Sequence, residues 1–392
     1  MLKKTMIFAL LVSLLWQPFQ AGAQNSLDFP LSSQSAVLME ASTGKVLYSK
    51  NANALMAPAS LVKLMTLLLG LEAMEKERVS WDDQVITSEN AWRTGGSQMF
   101  LNLGQEVSFG KLLMGIAAIS ANDACVALAE HLYGSETLFV KEMNRKAKEI
   151  GLENTRFQNS SGLDAQEQFT TALDMARLSR YLLNEHPQVL DLFAETTFTF
   201  NEIEQHSRNP LLDRYPGADG LKTGFTSEAG YNLAASAEQG SLRFITVTLN
   251  ASSLQERLTD TEALLNYAFR NFQLLSVLTK GEKIAEAPLQ KGQEPKVPVK
   301  ALQDLIVLVP YDQNGVAEKL NLNSDIIAPV NKGDTLGTLQ VLWEEEIIGE
   351  VELVAARDVQ EISDFAAFWQ LIGQVWTDFW TSIVYTIKDF FS

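Results

Sequence analysis

A helix predicted from Leu61 to about Lys76, within the run LVKLMTLLLGLEAMEK, is apolar on nearly every side. A surface helix keeps a polar face, so one without it must be covered all round and belongs at the centre of a domain. The flanking sequence supplies the cover. Ala36–Met39 and Lys45–Tyr48 are short strand-like runs around the turn Ala41-Ser42-Thr43-Gly44, which reads as a hairpin. Helical patterns follow at roughly 109–133, opening after Ser108, at 135–150, ending near Gly151, and at 171–184. Strand patterns return at 195–203, 219–225, 229–238 and 242–250, followed by an amphipathic helix from Glu256 to about Phe272. A hairpin first, helices next and strands last make an α+β fold: an antiparallel sheet with a helical cluster, the first strands joining the last ones.

With 392 residues the chain has room for two or three domains. Residues 24–273 form the first. In 274–357 the segments are short and alternating, as in Asp304–Val309 and Thr338–Trp343, with turn signals at Asn314-Gly315 and Lys332-Gly333-Asp334; this is a small all-β domain without a serine or histidine cluster. The two ends read differently. Residues 1–23 have the form of a secretory signal: Lys3 and Lys4, an apolar run from Met6 to Trp16 too short to span a bilayer comfortably, and the small-residue site Ala21-Gly22-Ala23. In 358–392 a linker leads to an amphipathic helix over 362–392. Its nine aromatics form a face too large to leave in water, while its polar residues recur every turn and rule out a spanning helix. That combination fits an anchor lying in a membrane interface, with an oligomerisation or docking helix as the other reading.

Charge and cysteine content exclude several classes. The net charge of −17 becomes −19 once Lys3 and Lys4 are removed with the signal, a balance that repels phosphate backbones and argues against nucleic acid as a partner. In the C-terminal segment Glu361, Asp364, Asp378 and Asp389 outnumber Lys388, so anionic lipid would not attract that helix and apolar burial must supply its membrane binding. Cys125 stands alone and closes no intrachain disulfide; it reads as a small buried apolar residue, the alternative being a thiol close enough to a cleft for thiol reagents to reach it. His131, His186 and His206 lie far apart without ligand spacing, which disfavours a zinc site or a Ser-His-Asp triad; no metal or cofactor is expected.

The chemistry is carried by three short motifs. Ser-x-x-Lys occurs three times: Ser42 to Lys45, Ser60 to Lys63, and Ser108 to Lys111. The first falls in a hairpin turn, and Ser108 of the last pair stands where a helix N-cap belongs. Only Ser60 opens a buried helix, where positions i and i+3 share a face and the two side chains can meet. To act as a base Lys63 must be neutral, and burial plus a second cation push its pKa in that direction. Lys222-Thr223-Gly224, the one K-T-G of the chain, lies in a predicted strand; it offers donors for a carboxylate and a glycine that admits a ligand, or equally an edge strand leading into a turn. Ser120-Ala121-Asn122 ends the apolar run Leu112–Ile119 at a helix-to-loop junction. Ser49, Ser88 and Ser207 begin similar triplets, so position alone distinguishes it.

In this order, Ser60-x-x-Lys63, Ser120-x-Asn122 and Lys222-Thr223-Gly224 resemble the motifs of the penicillin-recognising serine acyl-transferases of β-lactamase/transpeptidase-like fold. The context APASLVKLMT, SANDACVALAE, NSSGLDA and ADGLKTGFTSEAGYNLAASA is most similar to the D-alanyl-D-alanine carboxypeptidases among the low-molecular-mass penicillin-binding proteins, over almost the whole chain. The resemblance implies a hydrolase that removes the last D-alanine from peptidoglycan pentapeptide stems through a Ser60 ester, with Lys63 as base and Ser120 as proton relay to the leaving amine. It implies an oxyanion hole from the backbone N–H groups of Ser60 and Phe225, Asn122 on the substrate amide, and Lys222 with Thr223 on the terminal carboxylate. β-Lactams would be trapped at the same step. The location implied is the outer, periplasmic face of a bacterial cytoplasmic membrane.

Two departures from the family stand out. Phe225 follows Gly224 where some relatives carry histidine, which affects substrate contact or deacylation at that point. Arg208 has slightly different spacing from a family arginine ahead of the K-T-G strand, and reads either as a surface residue or as a helper on the carboxylate side. The competing activities are a stem-peptide endopeptidase or transpeptidase, which cleft shape would decide, and a serine β-lactamase. The lactamase expects an E-x-x-L-N loop, and Asn159–Thr171 offers only Glu167.

Overall fold

The structure, a computed structural model, describes residues 30–363 and Trp376. The expected signal at 1–23 lies outside the described residues, as does the helix of 362–392 apart from Ile362, Ser363 and Trp376. Two compact units divide the chain. The first holds residues up to Met39, Gly44–Ala237 and Phe244–Leu264; the second holds Glu40–Thr43, Glu238–Arg243 and the chain from Leu265.

In chain order the first unit begins with β1 (Ser35–Glu40) and β2 (Val46–Lys50), then a 3-10 turn at Ala59–Val62 that runs into α1 (Lys63–Glu75). Next come β3 (Gln84–Ile86), α2 (Glu89–Arg93) and β4 (Glu106–Ser108), a stretch with no clear period in the sequence. Helices α3 (Phe109–Ala118), α4 (Asn122–Tyr133), α5 (Glu136–Glu149), α6 (Ala172–Glu185) and α7 (Val189–Phe193) follow. The short pair β5 (Thr197–Phe200) and β6 (Ile203–His206) leads to β7 (Ala218–Thr226), β8 (Gly230–Gln239), β9 (Leu242–Ala251) and α8 (Leu254–Asn271).

The main sheet runs β2-β1-β9-β8-β7, so the N-terminal hairpin does join the late strands, with β1–β2 and β7–β8 paired antiparallel. Helix α1 is buried along almost its whole length, from Lys63 to Ala73. Leu64, Leu67 and Leu68 are fully covered, and each contributes about 1.5–3 kcal/mol by leaving water. That apolar gain is what lets the same helix carry the buried amine of Lys63.

One expectation needs correcting. The helical pattern over 109–133 is two helices, not one. Ser120 adopts φ +63°, and Asn122 N–H donates to the carbonyl of Ser97 at 2.7 Å instead of continuing a helix. Apolar residues stand on both sides of the break, so hydrophobic period does not register it. The start of α1 also differs by two residues, Lys63 instead of Leu61, because Ala59–Val62 with Ser60 form a 3-10 segment ahead of it. Of the three Ser-x-x-Lys pairs, Ser42 lies in the hairpin turn bonded to Glu40, and Ser108 caps α3 by accepting from Lys111 N–H.

The second unit is β-rich, as its alternation suggests. Strands β10 (Phe272–Leu278) and β13 (Leu305–Pro310) pair with one another. A five-stranded sheet runs β11-β12-β16-β15-β14, from β11 (Lys283–Pro288), β12 (Lys296–Ala301), β14 (Val316–Leu322), β15 (Thr335–Trp343) and β16 (Glu346–Ala355). Val297, Val307, Val309, Val341 and Leu353 form its core. No helix among the described residues is long and apolar enough to cross a membrane.

Candidate active site

Ser60 is half-buried in a turn held under backbone strain. Ala59, just before it, takes φ +47°, a conformation that persists only where its surroundings over-determine it. Two glycines press on this turn. A Cβ on Gly162 would lie 1.9 Å from the carbonyl oxygen of Ala59, and one on Gly224 would lie 3.1 Å from Ser60 N. From β8, Asn232 Nδ2 donates to the carbonyls of Ala57 and Pro58 at 3.0 and 3.2 Å, while its Oδ1 accepts from Asn250 N–H at 2.8 Å. The sheet thereby fixes the approach of the chain to Ser60.

Lys63 is fully buried, and each contact of its amine serves the pair. Nζ lies 2.9 Å from Ser60 Oγ and 2.7 Å from Asn122 Oδ1, and it also donates to the carbonyl of Ser161. Asn122 is oriented by its own Nδ2, which donates to Gly95 O at 2.8 Å and so leaves Oδ1 for the lysine. Burial lowers the Lys63 pKa to about 8, against the pull of Cys125 and Asp123 in the other direction. A usable fraction of free amine therefore exists near neutral pH. Next to Asn122, the buried carboxylate of Asp123 accepts from Met99 and Leu101 N–H at 3.0 and 3.1 Å and pins the loop that follows Ser97.

Lys222 is buried in β7, and its pKa lies well below the ordinary value, first through burial and then through the charge of Lys63. Burial thus leads for both lysines, and the charge of Lys63 adds to it at Lys222. Thr223 Oγ1 donates to Arg208 O at 3.3 Å, and Arg208 is close enough for its charge to act on Lys222. Its guanidinium is exposed and reaches Gln205 Oε1 at 3.5 Å. Phe225 is 54% exposed, its ring centroid 4.5 Å from that of Tyr231 across the β7–β8 ladder. Ser120 is buried at the α3–α4 break, two residues before Asn122.

Cys125 is fully buried; its Sγ–H donates to Ala121 O at 3.2 Å, and burial pushes the thiol up to about 12. It is a packed thiol, out of reach of reagents. Four site residues were not singled out in the sequence: Ser161, Gly162 and Asn232, which stand within the segments NSSGLDA and ADGLKTGFTSEAGYNLAASA, and Gly95. Ser161 and Gly95 act through their carbonyls, which any residue type possesses. Gly162 is the best marked, standing in the Asn159-Ser160-Ser161-Gly162 turn with φ +84°. Among the described residues no group of three or more His, Cys, Asp or Glu is placed to hold a metal ion.

Known proteins are similar to this chain in sequence and fold. Residues 21–253 match the family model described as D-alanyl-D-alanine carboxypeptidase, and residues 272–361 match that of the penicillin-binding protein 5 C-terminal domain. The chain is 36% identical over 393 residues to a D-alanyl-D-alanine carboxypeptidase of Bacillus subtilis, covering 96% of this chain and 100% of that one. Among solved structures, penicillin-binding protein 5 of Haemophilus influenzae superposes with a TM-score of 0.76 at 34% identity, over 86% of this chain and 99% of that one. Penicillin-binding protein D2 of Listeria monocytogenes, solved with ampicillin bound, gives 0.57 at 36% identity, over 62% and 99%. With a lysine amine on the Ser60 hydroxyl and both family models matched in order, the chain belongs to the D-alanyl-D-alanine carboxypeptidases.

Proposed function

We propose that this protein removes the terminal D-alanine from peptidoglycan pentapeptide stems by a serine acyl-enzyme route, and that β-lactams acylate the same serine. The observation that carries the reading is the 2.9 Å contact between the buried Lys63 amine and Ser60 Oγ. Neutral Lys63 takes the Ser60 proton as Oγ attacks the carbonyl between the two D-alanines. The N–H groups of Ser60 and Phe225 receive the developing oxyanion; loss of one such donor costs about 3 kcal/mol in comparable enzymes. Ser120 passes a proton to the leaving amine, D-alanine departs, and water hydrolyses the ester. Asn122 divides its amide between Lys63 and the substrate backbone.

Lys222, Thr223 and the exposed Arg208 serve the terminal carboxylate. An anion docking beside Lys222 restores the charge that burial disfavours there, so the site favours a free C-terminal carboxylate over an extended chain. Phe225 offers an apolar surface at the mouth and supplies its backbone N–H regardless of its side chain.

We further propose the domain plan given by the sequence: an exported chain with a catalytic domain over 24–273, a β domain over 274–357, and the 362–392 helix holding the enzyme at the periplasmic face of the cytoplasmic membrane. The aromatic face of that helix supports this.

The test is covalent labelling with a fluorescent penicillin followed by peptide mapping. Label on Ser60, abolished in Ser60→Ala with an unchanged circular dichroism spectrum, is the expected outcome; label surviving that substitution refutes the nucleophile. A pentapeptide stem should release D-alanine. Rapid β-lactam turnover without D-alanine release would instead favour a lactamase.

A further inference from the structure

The carbonyl of Ser161 that receives the Lys63 amine has to be aimed, and the residue before it is held from two sides. Ser160 is fully buried. Its N–H and its Oγ both donate to one oxygen of Glu136, at 2.8 and 2.6 Å. Its carbonyl accepts from Thr66 Oγ1 at 2.6 Å, and Thr66 lies one turn beyond Lys63 on α1. Beyond this point Asn159 Oδ1 accepts from Gly162 N–H at 2.6 Å and closes the turn. Glu136 is the first residue of α5, half-buried, on the wall of a cavity of about 410 Å³ that also reaches Arg93, Thr94 and Glu130.

We infer that Glu136 is a positioning residue for acyl transfer: its carboxylate holds Ser160 so that the neighbouring Ser161 carbonyl meets the Lys63 amine and keeps it on Ser60 Oγ. The inference rests on Lys63 being the base. Glu136 touches no reacting atom. The contact needs only one acceptor oxygen receiving two donors, so a neutral amide of the same length can replace the carboxylate. Truncation, by contrast, leaves the Ser160 N–H to water from the adjoining cavity, which satisfies the donor without fixing its direction.

The experiment is the pH dependence of penicillin acylation in Glu136→Ala and Glu136→Gln. In Glu136→Ala the carbonyl no longer favours the ammonium form, so the rise in rate moves to lower pH. Its alkaline plateau falls about tenfold or more, because the amine is misplaced relative to Oγ. Glu136→Gln keeps both the wild-type limb and a plateau within about threefold of wild type. A destabilised but correctly aimed site would lose thermal stability without moving the limb. An unmoved limb and plateau in Glu136→Ala, or a Glu136→Gln as impaired as Glu136→Ala, overturns the inference. Should Glu136→Ala not fold, Glu136→Asp, whose carboxylate is drawn back by one methylene, carries the same expectations. Lys63→Ala separates the two readings: a limb that survives there refutes the base itself, while a limb lost there and unmoved in Glu136→Ala refutes only the role of Glu136.

Discussion

The base role proposed for Lys63 combines two requirements that conflict in water: the amine must be held against a serine hydroxyl, and it must be uncharged. Burial meets both, since the apolar helix that fixes its position also disfavours its ammonium form. With Lys63 as the proposed base, the deprotonated amine is the active form, so the acylation rate is expected to rise with pH through about 8 and flatten above it. Stopped-flow acylation by a β-lactam under pseudo-first-order conditions reads this limb in the free enzyme; a rate independent of pH between 6 and 9 would contradict the assignment. Phe225 acts differently. Its N–H is backbone and its ring is exposed, so Phe225→Ala should leave the acylation rate within about threefold, any larger change appearing in hydrolysis of the ester. Pre-steady-state and steady-state rates on one substrate separate the two.

Elements rather than single residues set the precision of the site. Ser60 sits where a 3-10 turn meets α1, Asn122 where α3 breaks into α4, and Lys222 on a strand of the main sheet. Asn232 joins the sheet to the Ser60 turn through two hydrogen bonds and is itself held by a third from Asn250 N–H of β9. Asn232→Ala strands the Ala57 and Pro58 carbonyls and the Asn250 N–H, at about 1–3 kcal/mol for each group left buried without a partner. Differential scanning fluorimetry should show a lower melting temperature, together with slower acylation by a fluorescent penicillin. An unchanged melting temperature would mean that water takes over these bonds and the clamp is dispensable. The short Ser-x-x-Lys spacing was legible because i and i+3 share a helix face. The carbonyl of Ser161, 98 residues from Lys63 in sequence, was not, because a backbone acceptor leaves no residue-type signature.

At the scale of the whole molecule, the proposed anchor of 362–392 would let an acidic protein meet a membrane through apolar burial rather than through charge. Removal of 362–392 is expected to release an enzyme that still binds penicillin, recovered in the soluble fraction after centrifugation. The full chain should stay with vesicles at high salt, because screening weakens charge attraction and leaves apolar burial in place. A truncated protein that remains with membranes would move the anchor elsewhere.

Composition and period by themselves pointed to the α+β class and the β-rich second unit, and motif order with the family resemblance marked Ser60, Lys63, Ser120, Asn122, Lys222 and Thr223 as the candidate site. Class and motif are carried by side-chain identity, which the chain keeps wherever it goes. Only the tertiary structure decided that the helical run over 109–133 breaks at Ser120, that Gly162 and Gly224 close on the Ser60 turn, and that Glu136 and Ser161 stand behind Lys63. Those features depend on backbone groups and on contacts far apart in sequence, and their positions are set by packing.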